Sequence, residues 1–205
     1  MLKSLNEKIV AISIFLIVTI TGSAQDFSGY VVLNSGDTLL GLIKPYDNEA
    51  VMYHEVRFFK NGEKTKFEPR EILGYTFENH IFLTMDREDD FGIKRKVFMR
   101  ILEQGYCTLF TYVPQIKGID IYDPTFNSGK INTPQYYLQR TGEDLHRIDF
   151  KKLRTGQDPY FVDNPQLAYD IQRGKYKRLG IEGAVRRYNK EHTIYEKENG
   201  NDQRN

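Results

Sequence analysis

The chain contains few of the residues that cross-link a fold or hold a metal ion. Cys107 is the one cysteine among 205 residues, so an internal disulfide is excluded and the core must hold the fold together. The histidines have neither His-x-x-x-His spacing nor a Cys-x-x-Cys partner, so the sequence lacks a zinc motif. They are His54, His80, His146 and His192. We therefore predict that the protein uses no metal and no cofactor.

A strong net charge is also absent. The formal net charge is +1. The first 24 residues contribute Lys3, Lys8 and Glu7, so the remainder carries equal numbers of acidic and basic side chains. A balanced chain offers no electrostatic attraction to a phosphate backbone or an anionic membrane surface. We therefore expect no nucleic-acid partner.

Long apolar runs are absent except near the start. Residues 9–20 are mostly apolar, Lys3 and Lys8 precede them, and small residues occupy positions −3 and −1 of a cut between Ala24 and Gln25. This order is typical of a secretory signal peptide. We expect cleavage at this point and export to the periplasm or cell envelope, with no transmembrane span in the mature chain. The alternative is an uncleaved membrane anchor, but the run is shorter than the about 20 residues that a spanning helix needs.

Tryptophan is absent, so the aromatic content consists of 14 Tyr and 13 Phe, an enrichment that favours β-sheet. From residue 29 to residue 148, short apolar runs alternate with Gly, Asn and Asp clusters, a pattern typical of consecutive hairpins. Asn61-Gly62 is the preferred dipeptide of a two-residue type I′ turn. With that turn, Val56 would face Phe67 and Lys60 would face Glu63.

Two later hairpins are predicted around Asn79-His80 and Gln104-Gly105. The strands of the second, residues 94–103 and 106–113, are apolar on both faces, which indicates that both faces are covered. Cys107 lies on one of these apolar faces, so we predict a buried, inert thiol.

The pattern changes to helical spacing after residue 148. Asn164 and the following proline are typical of a helix start, and Gly174 of a helix end. Ile181 and Val185 begin a second helical pattern that ends near Asn189. The segment after it is polar and charged, which favours disorder.

We therefore predict an α+β fold: an antiparallel, curled or barrel-like sheet built from consecutive hairpins, with a small C-terminal helical appendage. The expected segments are a signal peptide (1–24), an antiparallel β domain (25–148), a helical segment packed on the sheet (149–190) and a disordered tail (191–205).

Local catalytic motifs are missing. Gly129-Lys130 lacks the other residues of a P-loop, and no Gly-x-Ser-x-Gly elbow occurs. The acidic residues in 86–90 lack the alternating spacing of a calcium loop and are followed by Lys94, Arg95 and Lys96, which favours a solvated charged loop. The sequence therefore assigns no catalytic residue.

The long irregular stretch 114–134 is the candidate binding loop, because loops of this length are often functional. Its aromatic and polar side chains could contact a ligand or a partner. The predicted ligand-binding residues are Asp120, Tyr122, Asp123, Phe126 and Asn127.

Short motifs follow one another along the chain in a recognisable order. They are Gly29-Tyr30-Val31-Val32 with Gly36-Asp37-Thr38-Leu39 and Gly41-Leu42-Ile43, then Pro69-Arg70-Glu71-Ile72-Leu73-Gly74-Tyr75, Leu102-Glu103-Gln104-Gly105-Tyr106, Tyr136-Tyr137-Leu138 and Val185-Arg186-Arg187-Tyr188-Asn189. In this order, over residues 29–189, they resemble a group of uncharacterised secreted proteins of Bacteroidetes. The resemblance implies envelope export and a sheet-plus-helices design. It implies no activity and supplies no functional residue.

Two classes of function remain open from the sequence. In the first, the protein is a non-catalytic binding or scaffolding module of the cell envelope. It would bind a protein, a glycan or an apolar small molecule through its long loop or through the adjoining sheet face. In the second, it is an envelope hydrolase with an acid/base pair assembled from distant carboxylates such as Glu68, Glu71 and Asp120. Paired carboxylates about 5–10 Å apart in a cleft would favour the enzyme, and a smooth apolar cavity would favour the binder.

Overall fold

The computed structural model describes residues 26–89, 91–114, 133–177 and 180–202. This part of the chain forms ten strands and four helices. The strands are β1 (Phe27–Leu33), β2 (Thr38–Ile43), β3 (Val56–Lys60), β4 (Glu63–Phe67), β5 (Ile72–Phe77), β6 (His80–Glu88), β7 (Lys94–Glu103), β8 (Cys107–Tyr112), β9 (Gln135–Arg140) and β10 (His146–Arg147). The helices are α1 (Glu49–Met52), α2 (Phe150–Thr155), α3 (Pro165–Gln172) and α4 (Ile181–Asp202).

The ten strands form one open antiparallel sheet in the order β10-β9-β8-β7-β6-β5-β1-β2-β3-β4. The sheet-rich α+β prediction is confirmed. The sheet does not close into a barrel, because β10 and β4 are edge strands that do not pair with each other. Residues 68–71 connect β4 to β5 across three intervening strands. In a flat sheet, β4 and β5 would lie about 19 Å apart. That separation is close to the greatest distance that residues 68–71 can span when fully extended. Since Glu71 N–H donates to the Glu68 carbonyl within this link, the chain turns there, and the β1–β4 part must curl.

The best-specified hairpin has the predicted register. Val56 lies opposite Phe67, and Lys60 lies opposite Glu63. Asn61 and Gly62 have φ values of 54° and 82°, as a type I′ turn requires. The turn residues therefore determined the pairing, as the sequence indicated.

The two later hairpins differ from the prediction by small shifts. The β5–β6 turn is Glu78-Asn79, one residue earlier than predicted, because Phe77 pairs directly with His80. In the β7–β8 hairpin, a bulge between Ile101 and Glu103 moves the register. Ile101 then lies opposite Phe110, whereas the predicted Gln104-Gly105 turn would place it opposite Thr108, two residues earlier in β8. A shift of two leaves Ile101 on its predicted face. Beyond the bulge, Glu103 lies opposite Leu109, three positions further than predicted.

The larger buried cluster joins side chains of β1–β3 and β5–β9. The turn after α1 enters it: Tyr53 is fully buried, and its ring lies 5.6 Å from that of Phe82 and 5.7 Å from that of Tyr112. The backbone N–H of Phe98 donates to the Tyr53 carbonyl at 2.9 Å. The hydroxyl of Tyr75 donates to the Met52 carbonyl at 2.6 Å. This short helical segment was not predicted, and its side chains belong to the larger cluster.

A second buried cluster lies between the other face of β8–β9 and the helices. In β8, Cys107 and Leu109 belong to it, whereas Phe110 and Tyr112 belong to the larger cluster. Both faces of β8 are therefore covered, as its apolar pattern predicted. The helical side chains of this cluster include Leu153, Leu167, Ile171, Ala184, Val185 and Tyr188.

The helix starts are confirmed, but the last helix ends later than predicted. Asn164 caps α3 through its side chain, which accepts from the Leu167 N–H. Helix α2 was not predicted, although the sequence contains both of its end signals. Asp149 caps its start, and Gly156 ends it in the left-handed conformation. The predicted tail begins inside α4, where Glu191 accepts a hydrogen bond from Asn164. That contact stabilises the turn beyond Asn189, the predicted end.

Within the described residues, no helix has both the length and the apolar character needed to cross a membrane.

Candidate functional site

One face of the sheet carries an exposed apolar surface, here called the apolar face. It spans β2, β1, β5 and β6. Its large side chains are between 37% and 71% exposed. They are Tyr30, Leu40, Leu42, Leu73, Ile81 and Leu83, with Val32 partly buried between them.

The strand register places these side chains together. Tyr30 of β1 lies between Leu40 of β2 and Thr76 of β5, and Thr76 lies opposite Ile81 of β6. Directly opposed residues share a face, so the four form a row across the sheet. A second row consists of Thr38, Val32, Gly74 and Leu83.

Leu73 reaches the apolar face because the pairing is irregular next to it. The register of β1 and β5 shifts between Val32 and Leu33. A bulge of this kind redirects a side chain. As a result, Ile72 is buried in the core and Leu73 is 48% exposed.

A shallow depression of about 150 Å³ lies in the middle of the apolar face, above Gly74. Tyr30, Val32, Leu73 and Ile81 form its walls together with Leu83. Gly74 lies in its lining and contributes no side chain to it. A Cβ there would overlap the Phe82 carbonyl oxygen, so the backbone geometry favours glycine at this position.

The rows of the apolar face carry no charged side chain. Apart from the apolar residues they contain the hydroxyl residues Ser28, Thr38 and Thr76. The solvent side of an antiparallel sheet is normally polar, so this face is unusual for a surface exposed to water. The sequence contained a signal for it: Leu39, Leu40, Leu42 and Ile43 make β2 apolar on both sides, as in β8.

The predicted loop site cannot be placed on this framework. Asp120, Tyr122, Asp123, Phe126 and Asn127 all lie outside the described residues.

Two of the three carboxylates suggested for a hydrolase, Glu68 and Glu71, lie in the described structure. Glu71 accepts a hydrogen bond from the backbone N–H of Glu68 at 2.7 Å, which stabilises the turn between β4 and β5. Glu68 lines a cavity of about 320 Å³ with Glu55, whose carboxylate accepts from Tyr46 and Lys66. Asp120 lies outside the described residues.

A second polar cavity, of about 430 Å³, lies between the start of α3 and helix α4. Asp163 on its wall accepts hydrogen bonds from Arg140 and Tyr188. Glu191 accepts from Asn164 and Arg187. Both carboxylates are thus held by structural partners.

The shifted carboxyl pKa values all point in one direction. Five carboxyl groups in the described part of the chain have clearly shifted pKa values, and all five are lowered. Hydrogen bonds from tyrosine, backbone N–H, asparagine, lysine or arginine outweigh burial in each case. A glycosidase-type general acid needs the opposite, a raised pKa. The five are Glu55, Asp89, Asp149, Asp170 and Glu191.

The predicted burial of Cys107 is confirmed. Its exposure is 0%, and burial raises the pKa of its thiol. The Sγ atom lies 3.6 Å from the Tyr160 hydroxyl. A thiol in this setting is a poor nucleophile.

The acidic loop binds its own backbone. Asp89 accepts hydrogen bonds from the N–H groups of Phe91 and Ile93, both at 3.0 Å, and Arg95 lies 3.5 Å from its carboxylate. In the described ranges, no group of three or more His, Cys, Asp or Glu side chains is arranged to hold a metal ion.

No family model matches the chain, and neither a curated protein nor a solved structure was found to match it.

Proposed function

We propose that this protein is an exported, non-catalytic binding or scaffolding module of the cell envelope and that it docks a partner on the apolar face. The supporting observation is the set of large apolar side chains that remain 37% to 71% exposed on four adjacent strands. Exposed apolar patches of this kind are typical of interaction sites. Leu40, at 71%, is the most exposed of these side chains.

The geometry of the face favours a protein partner. A small apolar ligand normally occupies an enclosed site of about 300–1,000 Å³, and the depression above Gly74 is about 150 Å³. A glycan needs several polar contacts, whereas the face offers mainly the hydroxyl groups of Ser28, Thr38 and Thr76. A protein surface with one projecting apolar side chain fits both the flat area and the depression.

Export is supported by the order of charged, apolar and small residues in the first 24 positions. Intact mass of the protein isolated from its native envelope provides the measurement: the chain should begin at Gln25. A full-length chain beginning at Met1 in the membrane fraction would contradict export with cleavage.

The hydrolase alternative has less support. A carboxyl group kept protonated near neutral pH is needed as the general acid. The shifted carboxyl groups of the described residues are all shifted the other way. Turnover of glycan, ester or peptide substrates by the purified protein would revive this alternative.

The docking proposal can be tested with a photo-reactive amino acid in place of Leu40, irradiated in the native envelope. The matched control is Val162, which is also 71% exposed but lies outside the apolar face. We expect a discrete cross-linked product from position 40 and none from position 162. The same experiment on a chain lacking residues 119–128 tests the binding loop that the sequence predicts. If neither position gives a product, the apolar face is not a docking site.

A further inference from the structure

We infer that a second copy of this chain occupies the apolar face, so that two molecules pair face to face in a weak, reversible dimer. This inference rests on the proposed docking role of the apolar face and names the partner. Two features of the face support it, its self-complementary shape and its lack of charge, and its size sets how tightly the two copies hold.

The shape is self-complementary because the face carries both a projection and a hole. Leu40 is 71% exposed, and the depression above Gly74 has room for one aliphatic side chain. Gly74 and Leu40 lie two strands and one row apart, which is about 12 Å in a pleated sheet. A two-fold axis running between two such faces would place Leu40 of each copy over Gly74 of the other. Such an isologous contact closes on itself and does not propagate into a filament.

The absence of charge permits this pairing. In a symmetric dimer, the face of one copy packs against the identical face of the other. Any charge on it would then be brought close to the same charge on the second copy, which is unfavourable. The two rows that would be covered carry no charged side chain. The nearest cations lie beyond the four strands of the face. Lys64 of β4 lies in the row of Leu42, two strands further along the sheet, Arg57 donates to the Lys44 and Pro45 carbonyls, and Lys66 pairs with Glu55 at 3.1 Å.

The size of the face sets the strength of the dimer. Four strands and about six residues per strand give a footprint of about 20 by 20 Å. That is roughly half of the about 800 Å² that each partner contributes to a standard interface. The dimer should therefore be weak, with a dissociation constant of about 10–100 μM.

Sedimentation of the mature protein, purified after its own export, tests the inference over about 1–500 μM. The wild type should pass from monomer to dimer with rising concentration. Leu40→Glu should raise the dissociation constant at least tenfold, because each dimer would bury two carboxylates in apolar depressions. Val162→Glu, at an equally exposed site, should leave it unchanged. A wild type that stays monomeric at 500 μM would overturn the inference, as would a Leu40→Glu variant that dimerises like the wild type.

A disulfide experiment tests the geometry separately. Leu40→Cys protein is mixed with Leu83→Cys protein and oxidised; the native Cys107 does not compete, because it is fully buried. The mixture should yield a cross-linked dimer, and a Leu40→Cys with Val162→Cys mixture should not. Equal yields from both mixtures would overturn the geometry.

The failure of this inference can be distinguished from the failure of the proposed function. If the wild type is monomeric but the photo-reactive residue at position 40 still cross-links to a different envelope protein, the dimer is wrong and the docking face stands. If the wild type is monomeric and position 40 yields no product, both are wrong.

Discussion

Single residues with positive φ determine two of the hairpins. Asn61 and Gly62 adopt φ values of 54° and 82°, and both residue types tolerate this region. Glu78 adopts φ 49° in the β5–β6 turn, where a residue with a long side chain is uncommon. The first turn was predictable because its residues suit the conformation, and the second was misplaced by one residue because Glu78 does not.

Replacing Gly62 with valine should destabilise the protein by about 1–2 kcal/mol, because a β-branched residue is strained at φ 82°. No atom lies within 4 Å of the added Cβ, so the cost is one of backbone strain and not of a clash. Chemical denaturation measures the effect. Lys64→Val, at an exposed extended position of the same hairpin, is the control and should change the free energy of unfolding by less than about 0.5 kcal/mol. Equal stability of the Gly62→Val protein and the wild type would contradict the role of the turn.

Arg87 shows what residue patterns could not predict. The sequence placed it in a solvated charged loop, but β6 continues to Glu88 and leaves Arg87 only 8% exposed. Its Nε donates to the Tyr137 hydroxyl at 2.8 Å, and its guanidinium lies 4.7 Å from the ring centre of Tyr112. These partners lie on β8 and β9, so the burial depends on long-range packing that a local charge pattern does not contain.

At the scale of elements, the last helix is attached to the start of β8 by one side chain. The Asn189 amide accepts from the Cys107 N–H at 2.8 Å and donates to the Cys107 carbonyl at 2.9 Å. It therefore satisfies both backbone groups as a neighbouring strand would. Gly105 allows this approach, because a Cβ there would overlap the amide. Arg186 adds two hydrogen bonds to Glu103, at 3.0 and 2.9 Å.

We expect Asn189→Ala to destabilise the protein by about 2–4 kcal/mol, since it leaves two backbone groups of buried Cys107 without partners. Gly105→Ala should cost about 1–3 kcal/mol through overlap with the amide. The double variant should cost clearly less than the sum, because both changes disrupt the same contact. Lys190→Ala, an exposed neighbour on the same helix, serves as the control. Additive effects measured by denaturation would mean that the two residues act independently.

Elements with strong local signals were predictable, and those that depend on distant contacts were not. The helix start at Asn164-Pro165 and the Asn61-Gly62 hairpin carry their own turn and cap residues. The bulge between Ile101 and Glu103, which moves the β7–β8 register, has no comparable local signal. A sheet face was expected as one possible binding surface, but the sequence did not show which strands form it. Each strand shows its apolar residues, but the order β2-β1-β5-β6 that joins them into one surface depends on the fold of the whole sheet.

At the scale of the molecule, charge pairs between helices α3 and α4 make stability depend on pH. Lys175 and Arg187 hold the pKa of Asp170 below its usual range. Burial acts to raise the pKa of Glu191, but hydrogen bonds from Arg187 and Asn164 lower it overall. Arg187 joins the two, at 2.5 Å from Asp170 and 2.6 Å from Glu191.

A carboxyl group whose pKa is lower in the folded protein than in the unfolded chain stabilises the fold above the unfolded pKa. That contribution is lost as the pH falls through the folded pKa. We therefore expect the free energy of unfolding to be constant near neutral pH and to decrease below about pH 4.5. Denaturation curves from pH 7 to pH 3 measure this.

Arg187→Gln should reduce the acid-induced loss, because the carboxyl pKa values would move back toward those of the unfolded chain. Arg154, exposed and outside the ion pairs found among the described residues, provides the control Arg154→Gln. The loss should be the same in this control as in the wild type. An Arg187→Gln protein with the wild-type pH profile would show that other carboxyl groups carry the dependence.

The link between Asn189 and Cys107 also affects the time course of folding. The two residues are 82 positions apart, so the backbone of β8 is not fully paired until the last helix has been synthesised and has docked. Contacts between distant parts of a chain form slowly, because the entropy of closing the loop must be overcome first. The unfinished chain therefore lacks a completed core for most of its synthesis. For a chain that we propose to be exported, this delay prolongs the period in which it can still cross a membrane unfolded.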